Sequence, residues 1–457
     1  MAIDPNYPPD PVRLALNTHP MPNNSGQGDV SRSIAIFAFS LGALYFSYAF
    51  VQRVSPSVMT SELMRDFGVG GALLGTLSAF YFYTYAVIQM PVGMLTDRFG
   101  PRKLMSFALV VCALATVGFA LSPNLLSAIV LRSLIGGSVA FAFVGTMAIA
   151  GYWFNHNRNA FLAGILQTLG MLGAVFAQAS LRSVVESIGW RNTMHILAVI
   201  AAVLALLIYF GVPKRTRSQR QVASYNFREA FKSAAWNRQT WLCATIGFGM
   251  CATMLSFSGL WAVPWLTTVH GYTPTRASAM ASALFLGWAV TAPAVGWISD
   301  HIGRRNVLPQ IGAVLYILVF LVIVYFTPDS ELLLVLLIFL CGAFGSSVTV
   351  CFTVVREHNN ASYASTALGL MNMFVVGSGA VMQPTIGWLL DVNWKGVMVD
   401  GARIYDAEAY AIGFSSLLVV MVLALISTFV LKETYCRSQD SDTVAPLSEV
   451  YGPASGK

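Results

Sequence analysis

Twelve long apolar stretches divide the chain, and their length constrains the fold more than any other sequence feature. Each has roughly twenty to thirty residues, the length that an α-helix needs to cross the hydrocarbon core of a bilayer. Charged residues make up only 10% of the 457 residues, too few to cover a soluble protein of this size. The sequence therefore predicts an all-α membrane protein with twelve transmembrane helices. The stretches run approximately over residues 34–60, 72–96, 104–122, 125–152, 159–186, 192–212, 239–268, 274–299, 306–327, 331–355, 362–391 and 409–431.

A polar, basic segment in the middle of the chain separates six of these spans from the other six. We expect an N-terminal six-helix bundle at 31–212, a cytoplasmic linker at 213–238 and a C-terminal six-helix bundle at 239–431. Residues 1–30 and 432–457 are polar, and we expect cytoplasmic tails there, the first of them disordered. Lys and Arg are concentrated in the loops on the linker side, fourteen against five in the opposite loops. By the positive-inside rule both termini should face the cytoplasm.

A glycine-punctuated basic turn follows the second span and returns after the eighth. The first copy, residues 93–103, reads GMLTDRFGPRK, and the second, residues 296–305, reads GWISDHIGRR. The first glycines of the two copies are 203 residues apart, and so are the two aspartates, Asp97 and Asp300. A motif repeated at about half the chain length indicates a transporter built from two related halves.

The first copy resembles the G-x-L-x-D-R-x-G-x-R/K-R/K loop of the major facilitator superfamily at every fixed position. The second copy is one residue shorter and has His301 in place of the arginine. This resemblance implies a secondary transporter whose two six-helix bundles work by alternating access. It also implies that the two turns form a latch between the bundles on the cytoplasmic side. The expected latch residues are Gly93, Asp97, Arg98, Gly100, Arg102, Lys103, Gly296, Asp300, Gly303, Arg304 and Arg305.

Two arginines lie inside apolar spans. Arg53 is near the outer end of the first span, and Arg132 is about seven residues into the fourth, which runs in the opposite direction. The two side chains should therefore reach a similar depth. A guanidinium group keeps its charge, so at that depth each must face protein or a water-filled cavity. Together they predict a positive patch suited to a carboxylate or a phosphate.

The segment around Arg53 resembles the first span of the sialin-type anion:cation symporters and of the organophosphate antiporters. Arg132 and Gly136 match the superfamily's R-x-x-x-G pattern in the fourth span. Two departures concern proton coupling, because Gln52 and Val139 stand where many of those symporters have acids. The resemblance implies a small organic anion or zwitterion as substrate. A proton-coupled symporter remains an alternative, and so does a dipeptide uniporter, since the overall pattern also resembles the branch of the lysosomal dipeptide uniporter.

Polar and aromatic residues of other spans complete the expected site. Gln167 and Asn372 are 205 residues apart and occupy equivalent positions in the fifth and eleventh spans, where exposure to lipid would be costly. Tyr83 and Trp261 would give a mixed polar and aromatic pocket, which suits a small amphipathic solute. Alternatively, each amide joins two helices and each aromatic ring faces lipid. The expected substrate-binding residues are Arg53, Gln52, Arg132, Tyr83, Gln167, Asn372 and Trp261.

Energy coupling is constrained by the position of the acids. No Asp or Glu lies in the middle of a span, and the six histidines lie in loops, in the N-terminal tail or close to span ends. A proton symporter usually needs a buried group that titrates near neutral pH. The sequence therefore favours facilitated diffusion or exchange over proton symport.

Several other classes of protein do not fit the sequence. No G-x-x-x-x-G-K-S/T motif predicts an ATP site, and the six cysteines have no metal-ligand spacing, so we expect neither cofactor, metal nor enzyme activity. The net charge of +7 comes from loops between spans, and we expect no binding to nucleic acid. We expect a monomer in a bacterial inner membrane, with the bilayer and a small-molecule substrate as its partners. A membrane receptor that senses a solute without moving it is the alternative from another class.

Overall fold

The computed structural model describes residues 32–154, 159–214, 227–360 and 364–436. Within these ranges twelve helical spans are long and apolar enough to cross a membrane, which confirms the predicted fold class. The tail predicted at 1–30 lies outside the described residues. So do residues 215–226 of the predicted linker and residues 437–457 of the predicted C-terminal tail.

The spans are numbered 1 to 12 along the chain, and several contain a change of helix type. Spans 1 to 6 are Arg32–Val54 continued by a 3-10 turn at Ser55–Val58, Gly71–Phe99, Pro101–Ala120, Leu125–Val139 with Phe141–Trp153, Asn159–Ile188, and Trp190–Gly211. Spans 7 and 8 are Arg238–Ala252 with a π-helical segment at Thr253–Trp261 and Ala262–Val269, and Pro274–Ile302. Span 9 is Val307–Leu321 with a π-helical end at Val322–Phe326, and span 10 is Glu331–Gly345 with a 3-10 turn at Ser346–Val348 and Thr349–Glu357. Spans 11 and 12 are Ala364–Val392 and Ala407–Val430.

Short elements join the spans. A helix at Thr60–Phe67 connects spans 1 and 2, and a helix at Phe227–Trp236 precedes span 7. Between spans 11 and 12, strands β1 (Met398–Val399) and β2 (Ala402–Arg403) form a two-stranded antiparallel ribbon. This ribbon is the one departure, within the described residues, from the all-helical prediction.

Spans 1 and 7, the first of each half, both leave α-helical geometry partway across. In span 1 the change begins at Ser55, next to Pro56, which has no N–H to continue the helix. In span 7 the wide π-helical turns occupy Thr253–Trp261. Both segments are buried throughout. Irregular backbone at membrane depth is tolerated where protein surrounds it or where it lines a cavity. Here protein surrounds both segments.

The two bundles approach most closely at one end of the molecule. We call the end that carries the turns after spans 2 and 8 the basic end, and the other the opposite end. Span 2 packs along span 11, and span 5 along span 8. At the opposite end a Cβ added to Gly387 would lie 2.1 Å from the carbonyl oxygen of Gly71. One added to Gly75 would lie 2.5 Å from the carbonyl oxygen of Gln383. Glycine is therefore required for this backbone-to-backbone contact.

At the basic end the same pairs of spans separate. A Cβ added to Gly93, Gly164, Gly296 or Gly369 would meet no described atom within 4 Å. The hydrogen bonds between bundles that we find in the described chain all lie in the opposite-end half. The gap between the bundles thus opens toward the basic end and is closed at the opposite end.

Candidate functional site

Arg53 lies in the last α-helical turn of span 1 and is surrounded by aromatic rings. Its guanidinium carbon is 4.3 Å from the ring centroid of Phe50, 5.3 Å from that of Tyr85 and 6.0 Å from that of Phe82. We call these four side chains the Arg53 cage. The negative faces of the rings stabilise a cation without neutralising it. A Cβ added to Gly379 of span 11 would lie 3.2 Å from the Phe82 ring, so the cage adjoins the interface between the bundles.

Among the described residues, no acid pairs with the charge of Arg53. The residue is 6% exposed, and none of the ion pairs among the described residues includes it. Its Nε atom also has no hydrogen-bond partner in the part of the chain that the structure describes. A buried cation without a counter-charge is costly in a membrane. The cage therefore has the chemistry to bind an anion.

Arg132 is buried more deeply, 1% exposed, and contacts the backbone of span 1. Its Nη2 atom donates to the carbonyl oxygen of Gln52 at 2.7 Å and to that of Arg53 at 3.5 Å. These carbonyls lie where span 1 leaves α-helical geometry, at the negative end of the helix dipole, which favours a cation. The guanidinium carbon is also 4.8 Å from the ring centroid of Tyr81. Arg132 thus fixes the backbone that carries Arg53.

Gln52 and Tyr83 lie outside the Arg53 cage. Gln52 is fully buried and its amide donates to the hydroxyl groups of Tyr48 and, at 3.3 Å, of Thr116 in span 3. Tyr83 is 43% exposed, whereas Tyr85 is buried beside Arg53. A helix turns side chains two positions apart to nearly opposite sides, so Tyr83 and Tyr85 cannot share the cage.

Three of the cage residues, Phe50, Phe82 and Tyr85, are not among the expected substrate-binding residues. Phe50 precedes Arg53 by three positions and therefore shares its helix face, a spacing that could have indicated the contact. Phe82 and Tyr85 belong to another span, and their position depends on how spans 1 and 2 are rotated against each other. A Cβ added to Gly136 would lie 2.1 Å from the carbonyl oxygen of Tyr81, so span 4 also sets the position of span 2.

Gln167 and Asn372 lie in the basic-end halves of spans 5 and 11. Both are partly exposed. Gln167 lies three positions after Gly164, and Asn372 lies three positions after Gly369, so each amide is on the same side of its helix as that glycine. A Cβ added to either glycine would meet no described atom within 4 Å. Both amides therefore lie in the part of spans 5 and 11 where the two bundles are apart.

A second pair of amides, also 205 residues apart, holds the π-helical segment of span 7. The Nε2 atom of Gln178 donates to the carbonyl oxygen of Ser258 at 2.6 Å, and that of Gln383 donates to the carbonyl oxygen of Leu255 at 2.8 Å. Gln178 and Gln383 are both fully buried. Wide helical turns leave carbonyl groups without their usual partners, and these two amides satisfy them.

Trp261, an expected substrate contact, lies in the closed half of the molecule. It is fully buried, and its indole N–H donates to the carbonyl oxygen of Gln383 at 3.1 Å. It lines a cavity of about 70 Å³ near the opposite end, together with Arg182 and Tyr405. In this conformation Trp261 is therefore separated from the side of the gap that is open.

The two basic turns make contacts within their own bundles. Arg305 pairs with Asp300 and, at 2.9 Å, with Glu357 of span 10. In the first turn, the guanidinium carbon of Arg102 lies 4.8 Å from the ring centroid of Tyr209 in span 6. Asp97 lies in the last turn of span 2. Three further residues of the expected latch have exposed side chains: Arg98, Lys103 and Arg304.

Gly100 and Gly303 end spans 2 and 8 with positive φ angles of 79° and 69°. This backbone region favours glycine, which explains its presence at the same point of both turns. The repeated sequence motif thus corresponds to a repeated backbone structure.

Comparison with known proteins decides the class of the chain. A family model described as Major Facilitator Superfamily matches residues 41–262 and 246–435. The chain belongs to this superfamily. It is an integral, multi-pass membrane protein and, as a member of this superfamily, a secondary transporter.

Superfamily transporters from bacteria are among its similar proteins. The chain is 26% identical over 375 residues to the probable sulfoacetate transporter SauU of Cupriavidus necator, covering 77% of this chain and 86% of that protein. It is 23% identical over 426 residues to the gentisate transporter of Corynebacterium glutamicum, covering 85% of this chain and 92% of that protein. A solved bacterial homolog of the human lysosomal transporter Spinster, inward-facing and unoccupied, matches with a TM-score of 0.70 and 17% identity. That match covers 93% of this chain and 100% of that one and shows that the two proteins share the superfamily fold.

Proposed function

We propose that this superfamily transporter carries a small organic anion or zwitterion whose carboxylate, or a similar oxyanion, binds at Arg53. The single observation that supports this substrate class is the buried guanidinium of the Arg53 cage, which pairs with no acid among the described residues. An oxyanion would supply the missing counter-charge and accept two parallel hydrogen bonds from the planar guanidinium.

The names of the relatives agree with this substrate class. Sulfoacetate and gentisate, named for the relatives from Cupriavidus necator and Corynebacterium glutamicum, are both organic acids that carry a carboxylate. We propose that Gln167 and Asn372, which lie where spans 5 and 11 are apart from the other bundle, border the open gap and contact the rest of the solute. We propose a positioning role for Arg132, because its guanidinium binds the carbonyls beside Arg53.

The transport cycle that we propose alternates between two closures. In the conformation described here the gap opens at the basic end, which we propose to be cytoplasmic, with both termini on that side of a bacterial inner membrane. In the other conformation the two basic turns would meet and form the latch. Asp97 and Asp300 would then lie opposite arginines and helix ends of the other bundle, as the repeated motif implies.

Uptake into proteoliposomes tests the substrate class. We expect saturable uptake of at least one organic acid from a panel of sulfoacetate, gentisate, dicarboxylates, sugar acids, sugar phosphates and dipeptides. Vesicles that contain the Arg53→Ala variant are the matched control and should show little uptake. Uptake confined to dipeptides that is unaffected in this variant would instead support the dipeptide uniporter. Tight binding without any uptake would support a receptor.

We expect a substrate gradient alone to drive transport. In the described spans every Asp and Glu lies within four residues of a helix end: Asp97, Glu186, Asp300, Glu331, Glu357, Asp391 and Glu408. The centres of these spans therefore hold no carboxylate that could carry a proton. With a fully ionised substrate at equal concentration on both sides, an inward proton gradient should change the rate of exchange but cause no net accumulation. Accumulation well above equilibrium would show proton symport.

A further inference from the structure

Span 2 receives its N-terminal cap from the other bundle. Asp391 is the penultimate residue of span 11, and its carboxylate accepts the first two backbone N–H groups of span 2. The nitrogen of Gly71 is 3.0 Å from Oδ1, and the nitrogen of Ala72 is 2.9 Å from Oδ2. The N-cap residue of span 2 itself is Gly70, which has no side chain to accept these bonds.

This contact has a clear physical basis. The first N–H groups of a helix have no partner within the helix, and the positive end of the helix dipole favours an anion there. A Cβ added to Gly70 would lie 2.5 Å from Oδ1 of Asp391, so Gly70 makes room for the carboxylate, and one added to Gly71 would lie 2.9 Å from the carbonyl oxygen of Gly387. The capping energy therefore acts directly between the two bundles.

Two further side chains hold the carboxylate in place. The hydroxyl of Tyr405 donates to Asp391 at 2.6 Å and accepts the N–H of Gly71 at 2.8 Å. Arg403, on strand β2, donates to Asp391 at 3.0 Å. Burial and the adjacent carboxylate raise the pKa of Tyr405 well above its ordinary value, so it remains a hydrogen-bond donor at physiological pH. The carboxylate, the two N–H groups, the hydroxyl and the guanidinium therefore form one hydrogen-bonded network at the opposite end.

We propose that Asp391 is a positioning residue of the transport cycle, which holds the opposite end closed by capping span 2 while the basic end is open. Opening the opposite end must withdraw the carboxylate from the two N–H groups. The strength of the cap therefore sets how often the opposite end opens. This proposal rests on the alternating access of the proposed function, but it is independent of which solute is carried.

Labelling of a reporter cysteine in nanodiscs, without substrate, tests the proposal. Thr60 is 5% exposed and lines the small cavity near the opposite end. The substitution Thr60→Cys places the reporter cysteine there. The exposed Cys436 is removed as Cys436→Ser, and the protein without the reporter gives the background from the buried cysteines. Asp391→Asn should raise the labelling rate by a hydrophilic maleimide about tenfold, the change that losing about 1.4 kcal/mol of capping energy produces.

Two further variants make the test decisive. Asp66→Asn is the matched control, because Asp66 lies at the same end but bonds to Trp190 and Arg65 within its own bundle. Its labelling rate should equal that of the parent protein. Tyr405→Phe keeps the carboxylate of Asp391 and removes one of its hydrogen-bond donors, so it should raise the labelling rate by a smaller factor. If Asp391→Asn does not fold, Tyr405→Phe is used to test the proposal in its place. An unchanged rate in the capping variants, or an equal rise in Asp66→Asn, would overturn the proposal. A tenfold rise together with no transport of any anion would contradict the substrate class alone.

Discussion

Replacing Arg53 with lysine should weaken binding of the transported anion by about 1.5–3 kcal/mol, the range for a hydrogen bond to a charged group. This corresponds to a loss of affinity of roughly ten- to 150-fold. Lysine keeps the positive charge but lacks the planar fork that binds an oxyanion through two hydrogen bonds. Arg53→Ala should lose more, because it also removes the charge that faces the anion. Equilibrium binding of the organic acid found in the uptake panel, measured on purified protein, checks both values.

The control for Arg53 is an arginine of the same charge away from the cage. Arg65 lies in the short helix between spans 1 and 2, is half-exposed and pairs with its neighbour Asp66. Arg65→Ala should bind the anion as tightly as the parent protein. If Arg53→Ala also binds with unchanged affinity, Arg53 only stabilises the fold, and the proposal of an anionic substrate loses its main support.

Arg53 and Arg132 have different contacts, and the different roles that we propose for them rest on that difference. Arg53 has aromatic rings around it and no acid among the described residues, and its Nε atom has no hydrogen-bond partner there. Arg132 uses one of its nitrogens on the carbonyls of Gln52 and Arg53, where span 1 changes helix type. The sequence indicated the depth of both residues. It did not indicate this division, because the position of the helix break relative to span 4 is a tertiary property.

The features that the sequence predicted well are those that depend on local composition. The length of an apolar stretch decides whether a helix can span a bilayer, and the twelve predicted stretches correspond to the twelve helical spans. The repeat of 203 residues predicted two halves, and the matching positive φ angles of Gly100 and Gly303 repeat that relation in the backbone. Neither inference needed knowledge of how the helices pack.

Contacts between spans could not be predicted in the same way. Tyr83 was expected to contact the substrate, but the rotation of span 2 places Tyr85 beside Arg53 instead. Trp261 was expected there too, but it lies in the closed half, where its indole bonds to span 11. Asp391 was recognised only as an acid at a span end, because its bond to Gly71 joins residues 320 positions apart. Such pairings follow from the packing of the two bundles in one conformation.

The second large effect is expected at Gly387. In Gly387→Ala the new Cβ would lie 2.1 Å from the carbonyl oxygen of Gly71, so the bundles could not close at the opposite end without moving apart. Overpacking of this kind costs about 1–3 kcal/mol. Because Gly71 belongs to the other bundle, the cost falls on the closed state rather than on the folding of either bundle. The initial rate of uptake into proteoliposomes should therefore fall about tenfold or more.

Gly413 in span 12 provides the matched control for Gly387. It faces the same part of span 11 from within the C-terminal bundle, and its added Cβ would meet the side chain of Ile386 at 3.3 Å. A flexible side chain can move by a few tenths of an ångström, so Gly413→Ala should transport at close to the parent rate. Melting temperatures of both variants show whether each still folds. Parent-like uptake by Gly387→Ala would show that the transport cycle does not need close contact between spans 2 and 11. If Gly387→Ala instead loses its cooperative melting transition, the contact is required for folding, and its assignment as a gate would be wrong.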